Sequence, residues 1–370
     1  MSSKSIVLAT LVAGRLCLPL AAQTTLKDAF HGSFKIGAAL SHAIYTGGDE
    51  AGAAIVKAQF DSISPENDLK WERIHPTPQG FDFGPADRYV EFGEKNHMFI
   101  VGHCLVWHSQ TPRWVFEDDK GNAVSREELL RRMHDHIAAV VGRYRGRVNG
   151  WDVVNEALNE DGTLRRSQWQ RIIGDDYIAK AFEYAHEADP KAELYYNEYS
   201  LENEAKRNGG VELIRKLLAQ GIPVAAVGLQ GHYHMDWPDV EKVDATIAAF
   251  RALGVKVNIT ELDVDVLPQV TRTHTADVSA KAEGGADSNP YTAGLPAPRQ
   301  QALADRYAAL FGVFLKHHDA ITRVTFWGVT DKDSWLNNFP ARGRTNYPLL
   351  FDREGKPKPA FDAVVGEAHR

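Results

Sequence analysis

A chain of 370 residues carrying 49 acidic and 42 basic side chains, formally −7, is not built to bind nucleic acid, which needs a basic face. Hydrophobic residues at 44% and charged residues at 25% are ordinary globular values and exclude disorder, collagen or coiled coil as descriptions of the whole chain. Two cysteines, Cys17 and Cys104, can form neither a disulfide scaffold nor a four-cysteine zinc site.

The first element in chain order reads as an export signal. Lys4 supplies a positive start, Ile6 to Leu20 is an apolar stretch interrupted by Arg15, and Ala21-Ala22 offers small residues for cleavage. This layout predicts a signal peptide over residues 1–22, a mature chain over 23–370 and a secreted or periplasmic protein. Removing the signal takes Cys17 away and leaves Cys104 unpaired, so an oxidising compartment imposes no internal bridge. No later run reaches the ~18 apolar residues of a membrane span, so no membrane partner is expected.

Runs with strand character follow at 34–40, 62–67, 99–107, 148–156, 193–199, 226–233, 256–264 and 323–329. Helical periodicity fills the gaps, as from Glu127 to Tyr144, Asp176 to Asp189, Lys206 to Gln220, Val240 to Leu253 and Gln300 to His318. Strand then helix, repeated eight times, predicts an α/β fold of one domain, a parallel sheet closed into a (β/α)8 TIM barrel. A doubly wound open sheet would need a glycine-rich phosphate turn after an early strand, and none is present. Residues 268–298, after the seventh predicted strand, are rich in Ala, Gly, Ser, Thr and Pro and are expected to form a long mobile loop over the rim.

In such a barrel the reactive groups come from the C-terminal ends of several strands. The predicted strands deliver Glu66, Asn67 and Lys70, then His103, Trp107 and His108, then Asn155 and Glu156. Further along come Asn197, Glu198 and Tyr199, then Gln230, His232 and His234, then Glu261 and Asp263, and finally Trp327. Aromatic planes beside amides and carboxylates suit a sugar, which has apolar ring faces and polar edges. Glu156 and Glu261 stand 105 residues apart, on the fourth and seventh strands, which face each other across an eight-strand ring. A pair of carboxylates flanking one ligand is the equipment of glycoside hydrolysis.

At this point a resemblance becomes specific. The run WDVVNEAL at 151–158 resembles the acid/base signature of the family 10 glycoside hydrolases, the endo-β-1,4-xylanases, and NITELDV at 258–264 resembles their nucleophile strand. SPENDLKWE at 64–72, GHCLVWHSQTP at 102–112, GLQGH at 228–232, the tryptophans at 327–335 and PLLFD at 348–352 also match, in family order, from about Leu26 onward. The resemblance implies a (β/α)8 barrel, retaining hydrolysis of β-1,4-xylan or xylo-oligosaccharides, and neither cofactor nor metal; a monomer is the default expectation. It implies that Glu156 is the general acid and then base, and that Glu261 is the nucleophile. His232, shared by Glu261 and Asp263, would orient the nucleophile and hold its charge, and Asn155 would bind the sugar 2-hydroxyl. Glu66, Asn67, Lys70, His103, Trp107 and Gln230 look like the glycone-side binders, with Trp327 and Trp335 covering the sugar face. Gln110 and Trp335 would crowd the place of a glucose C6 hydroxymethyl and so favour xylan over cellulose. For a retaining pair the carboxyl separation is expected to be about 5–5.5 Å.

The chain also departs from the pattern. Strand five of the family commonly reads Asn-Asp-Tyr-Asn, whereas here it reads Asn197-Glu198-Tyr199-Ser200, which puts the leaving-side subsites in question; Tyr199 is still expected to stack a sugar there. Cys104 stands where a small hydroxyl residue is common, and a cis peptide between His103 and Cys104 is expected. Plainer alternatives are that Lys70 is a rim charge paired with Glu66, that His232 is a core histidine and that the tryptophans are core. Rival functions are a metal-dependent hydrolase using His232, His234 and Asp263, a cellulase or mannanase with the same two-glutamate logic, and a barrel that binds sugar without cleaving it. Ala157 after the acid separates this chain from those cellulases and mannanases, which usually carry proline there.

Overall fold

The computed structural model describes residues 24–271 and 274–370, so the expected signal segment lies outside the described residues. Among the described residues, nine strands follow the predicted runs closely: β1 (Lys35–Leu40), β2 (Ser62–Pro65), β3 (Phe99–Trp107), β4 (Gly150–Asn155), β5 (Glu193–Glu198), β6 (Ala226–Leu229), β7 (His232–His234), β8 (Lys256–Asp265) and β9 (Ile321–Phe326). They pair in parallel in the order β1-β2-β3-β4-β5-β6-β8-β9, and β9 pairs back to β1, which closes an eight-stranded barrel. Each barrel strand is buried along nearly its whole length, as a parallel strand covered on both faces should be. Helices follow the strands as the periodicity predicts: Arg126–Arg143, Tyr177–Ala188, Glu204–Ala219, Val240–Arg251 and Ala297–Lys316 match the five runs to within about three residues. The start of Arg126–Arg143 is set by Ser125, whose hydroxyl accepts from the Glu128 amide. No helix among the described residues is long and apolar enough to cross a membrane.

One predicted strand is divided. The run 226–233 breaks at Gly231, whose φ of +80° is a left-handed value that glycine adopts without penalty. The chain thereby leaves the barrel wall after β6 and re-pairs as β7 against the far end of β8, with His232 opposite Asp263. That short extension raises His232 above the rim, beside the end of β8.

Inside the barrel, Arg323 of β9 lies over the rings of Phe99 on β3 and Tyr195 on β5. These strands are not neighbours, so the three side chains meet across the lumen, which is packed rather than open. Glycines make room for the largest rings. A Cβ on Gly102 would sit 2.1 Å from the Trp151 ring on the adjacent strand. Gly102→Ala is therefore expected to lower stability by ~1–3 kcal/mol, read as a fall in Tm with unchanged secondary structure.

The segment after β8 passes over the rim, where Ala276 and Val278 border a cavity. Its described residues are packed: Arg344 donates to the Pro268 carbonyl, the Tyr347 hydroxyl donates to the Tyr291 carbonyl, and Ala276 and Leu295 are buried.

Candidate active site

Because every barrel strand runs the same way, the C-terminal ends of all eight open on one rim. A cavity of about 170 Å³ there is lined by Glu66, Asn67, Lys70, His103, Trp107, Gln110, Asn155, Glu156, Gln230, His232, Glu261, Trp327 and Trp335, joined by Ala276 and Val278 from the loop above. Residues from the ends of six of the eight barrel strands, β2, β3, β4, β6, β8 and β9, thus converge here with His232 of β7, whereas Asn197, Glu198 and Tyr199 at the end of β5 do not line the cavity.

Glu156 immediately follows β4, at a φ of +59° that a non-glycine residue adopts only when its surroundings impose it. Its amide donates to the Asn197 carbonyl, which fixes the turn. The carboxylate is 4% exposed and accepts from Trp107 Nε1 at 2.8 Å and Gln230 Nε2 at 3.0 Å. Burial raises its pKa, outweighing the Gln230 and Trp107 donors, and the nearby Glu261 charge pushes the same way. The group is thus biased towards holding its proton.

Glu261 lies within β8 and is equally buried, yet its balance is reversed. Burial pushes its pKa up, but the His232 hydrogen bond, the His103 and His232 charges and the Asn197 amide outweigh that and hold it below the usual carboxylate range. His232 Nε2 lies 3.2 Å from Glu261 and Nδ1 lies 3.0 Å from Asp263. Burial disfavours the imidazolium, but the two carboxylates prevail and raise its pKa to about 10, so it stays charged. Trp335 Nε1 donates to the other Asp263 oxygen at 2.7 Å and so locks the triad to the cleft wall. Both ring nitrogens of His232 are committed to carboxylates.

A chain of amides joins the two glutamates. Asn197 Nδ2 reaches both Glu261, at 2.8 Å, and Asn155 Oδ1, at 2.9 Å. Asn155 in turn donates to Glu156 at 3.2 Å, and Thr260 donates to Asn197 at 2.6 Å. Asn197 stood among the strand-end residues in the sequence without an assigned role; its placement between two glutamates comes from β4, β5 and β8 together. His103 is oriented by Asp152, 2.9 Å from its Nδ1, and the expected cis peptide between His103 and Cys104 is present. Asp152 was legible only as part of the WDVVNE run.

Lys70 donates to Asn67 and Gln110, each at 3.0 Å, rather than pairing with Glu66, and its ammonium lies 5.2 Å from the centre of the Trp107 ring. Gln110 also donates to Glu72, so its amide is held at both ends. The expectation for Tyr199 is corrected. Its side chain is 3% exposed and lies outside the cleft lining. Lys206 Nζ covers one face at 3.3 Å, Arg165 donates to the hydroxyl at 2.9 Å, and the ring is buried, so it offers no open face to a sugar. The longer acid beside it explains the change. Glu198 is fully buried, takes Lys206 at 3.0 Å, and accepts from the Leu158 amide at 3.0 Å, just past Glu156.

A closed (β/α)8 barrel with two buried, oppositely biased glutamates in an aromatic and amide-lined cleft has the anatomy of a glycoside hydrolase. Residues 25–367 match the model of glycosyl hydrolase family 10, and the chain belongs to that family. It is similar to endo-1,4-beta-xylanase A of Xylanibacter ruminicola, with 45% identity over 357 residues covering 95% of this chain and 96% of that one. It is also similar in structure to a GH10 endoxylanase retrieved from sugarcane soil metagenome, with a TM-score of 0.90, 48% identity, and coverage of 92% and 99% of the two chains. A third similar structure, described as a mutant in complex with xylotriose, has a TM-score of 0.83 and 36% identity, covering 92% of this chain and 99% of its own.

Proposed function

We propose that the protein is an endo-1,4-β-xylanase that cleaves internal bonds of xylan by double displacement with retention. The observation that carries the mechanistic reading is the opposite biasing of two glutamates in one cavity, Glu156 towards its acid and Glu261 towards its anion. The xylanases among its relatives support the substrate class.

Glu261 attacks the anomeric carbon while Glu156 protonates the departing glycosidic oxygen, giving a covalent xylosyl-enzyme. Glu156, now anionic, then takes a proton from water as that water releases the sugar on the face from which the leaving group departed. His232 holds the charge and orientation of Glu261, and Asn155 offers its amide to the 2-hydroxyl, a contact that strengthens in the transition state. Lys70, Asn67, Glu66, His103 and Gln230 would bind the glycone, between Trp107 and the two tryptophans Trp327 and Trp335. Gln110, held by Lys70 and Glu72, and Trp335, held by Asp263, are rigid walls suited to exclude a hydroxymethyl group. No cofactor is required by these steps. Export rests on the N-terminal sequence alone, and the first residue of protein recovered outside the cytoplasm checks it.

The reading is tested by following soluble xylan by product chromatography and by proton NMR. Xylobiose and longer oligomers released first as β-anomers are expected; first-formed α-anomers would overturn retention, and no release from xylan would overturn the substrate.

Activity needs Glu261 ionised and Glu156 protonated, so kcat/KM should rise with pH through the depressed Glu261 pKa and fall through the raised Glu156 pKa. His232→Gln removes the cation that lowers Glu261, so that pKa rises. The acid limb of kcat/KM is expected to move to higher pH while the alkaline limb moves little.

A further inference from the structure

The loops that follow the two glutamate-bearing strands, β4 and β8, touch. Arg165, from the loop after β4, donates to Asp277, from the loop after β8, at 3.0 Å, across 112 residues of sequence. In the ring, β5 and β6 stand between β4 and β8, so this contact spans one whole arc of the barrel mouth. Both ends are built. Arg165 is anchored by the Tyr199 hydroxyl and the Leu158 carbonyl. Asp277 accepts from the Ser279 amide and hydroxyl, and its own amide donates to Thr275. Each partner's side chain is less than one-fifth exposed. The residues flanking Asp277, namely Ala276 and Val278, line the cavity that holds Glu156 and Glu261.

We infer that the Arg165–Asp277 pair is a latch that closes the arc of the cleft over β5 and β6, so that a xylan chain can extend freely on only one side of the two glutamates. A chain lying between Glu156 and Glu261 runs from the arc of β9, β1, β2 and β3 towards the arc of β5 and β6. On the first arc it meets the open polar rim; on the second it must displace the strap at 274–280. Tyr199, buried beneath Arg165, is unavailable on that side for the same reason. Burial pushes the Asp277 pKa up, but Ser279 and Arg165 together hold it down at about 2, so the latch keeps its charge across ordinary working pH. The inference rests on the xylan reading above and names what limits chain length at that site.

The test compares wild type with Asp277→Asn, which keeps an oxygen for the Ser279 turn and loses the charge, and with the swapped pair Arg165→Asp/Asp277→Arg. Xylohexaose labelled at its reducing end shows where the chain is cut, and amide hydrogen exchange reports on 274–280. Wild type is expected to leave few sugars on the latched side of the cut. Asp277→Asn should shift cleavage towards the middle of the chain and raise the central-to-terminal product ratio by about two- to fivefold, the scale of one partly screened ion pair. It should also speed exchange across 274–280, and the swapped pair should restore slow exchange. An unchanged product ratio, or unchanged exchange in Asp277→Asn, overturns the latch. If wild type does not cut xylohexaose, the xylanase reading fails separately and the exchange result alone decides whether the pair holds the strap.

Discussion

Glu261→Ala is expected to abolish xylan hydrolysis, with kcat falling on the order of 10⁴-fold or more, because the proposed mechanism forms its covalent xylosyl intermediate on this carboxylate. The carboxylate is matched to that task by its neighbours. His232 and Asn197 each bond one of its oxygens, and the imidazolium keeps it ionised although it is buried. Removing it leaves His232 still paired with Asp263, which Trp335 holds, so the protein should stay folded. The check is a time course on soluble xylan beside thermal denaturation. Added azide or formate can enter the space left by the side chain and is expected to restore turnover of an activated aryl xylobioside, with an α-configured adduct where azide attacks. Residual xylan turnover within tenfold of wild type would remove Glu261 from the nucleophile's role.

Glu156→Ala should split the substrates. Xylan has a poor leaving group and needs the proton, so kcat/KM is expected to fall by about 10²–10⁴-fold. A dinitrophenyl xylobioside needs no proton to leave, so its first step should be nearly unimpaired, and a burst of phenolate should precede slow release of the sugar. Azide should speed that release and give a β-configured product, the opposite of the Glu261→Ala adduct. Equal losses on both substrates would mean that Glu156 is not the proton donor. Trp107 and Gln230 both donate to its carboxylate and so favour the anion needed in the second step, while burial favours the acid needed in the first. In the proposed mechanism, that opposition would let one side chain serve both steps.

Comparison of expected and observed elements shows where local pattern is enough. The eight strand runs and the five helical runs reappear with small shifts at their ends, because side-chain period and propensity are properties of neighbouring residues. The interrupted strand at Gly231 is the instructive exception. Its residue types continue a strand, but the re-pairing of His232 with Asp263 is decided by the longer reach of β8, 29 to 31 residues away. Tyr199 is a second exception. An aromatic at a strand end in a sugar cleft reads as a stacking platform, yet Lys206 and Arg165 take its ring and hydroxyl. The lengthening of the acid at 198 hinted at a change on that side without saying which group would fill it.

By itself, the sequence determined the barrel, the rim on which its polar strand-end residues gather and the two glutamates proposed for catalysis, since alternation, periodicity and short motifs are all local. Tertiary structure decided what those glutamates can do. Their opposite bias depends on burial and on partners at the ends of β3 and β6 and on β7, and the Asn197 bridge depends on the closing of the ring. The strap that joins Arg165 to Asp277 belongs to the same class. A pKa and a contact across the barrel mouth are set by groups brought together in space, and no window along the chain contains them both.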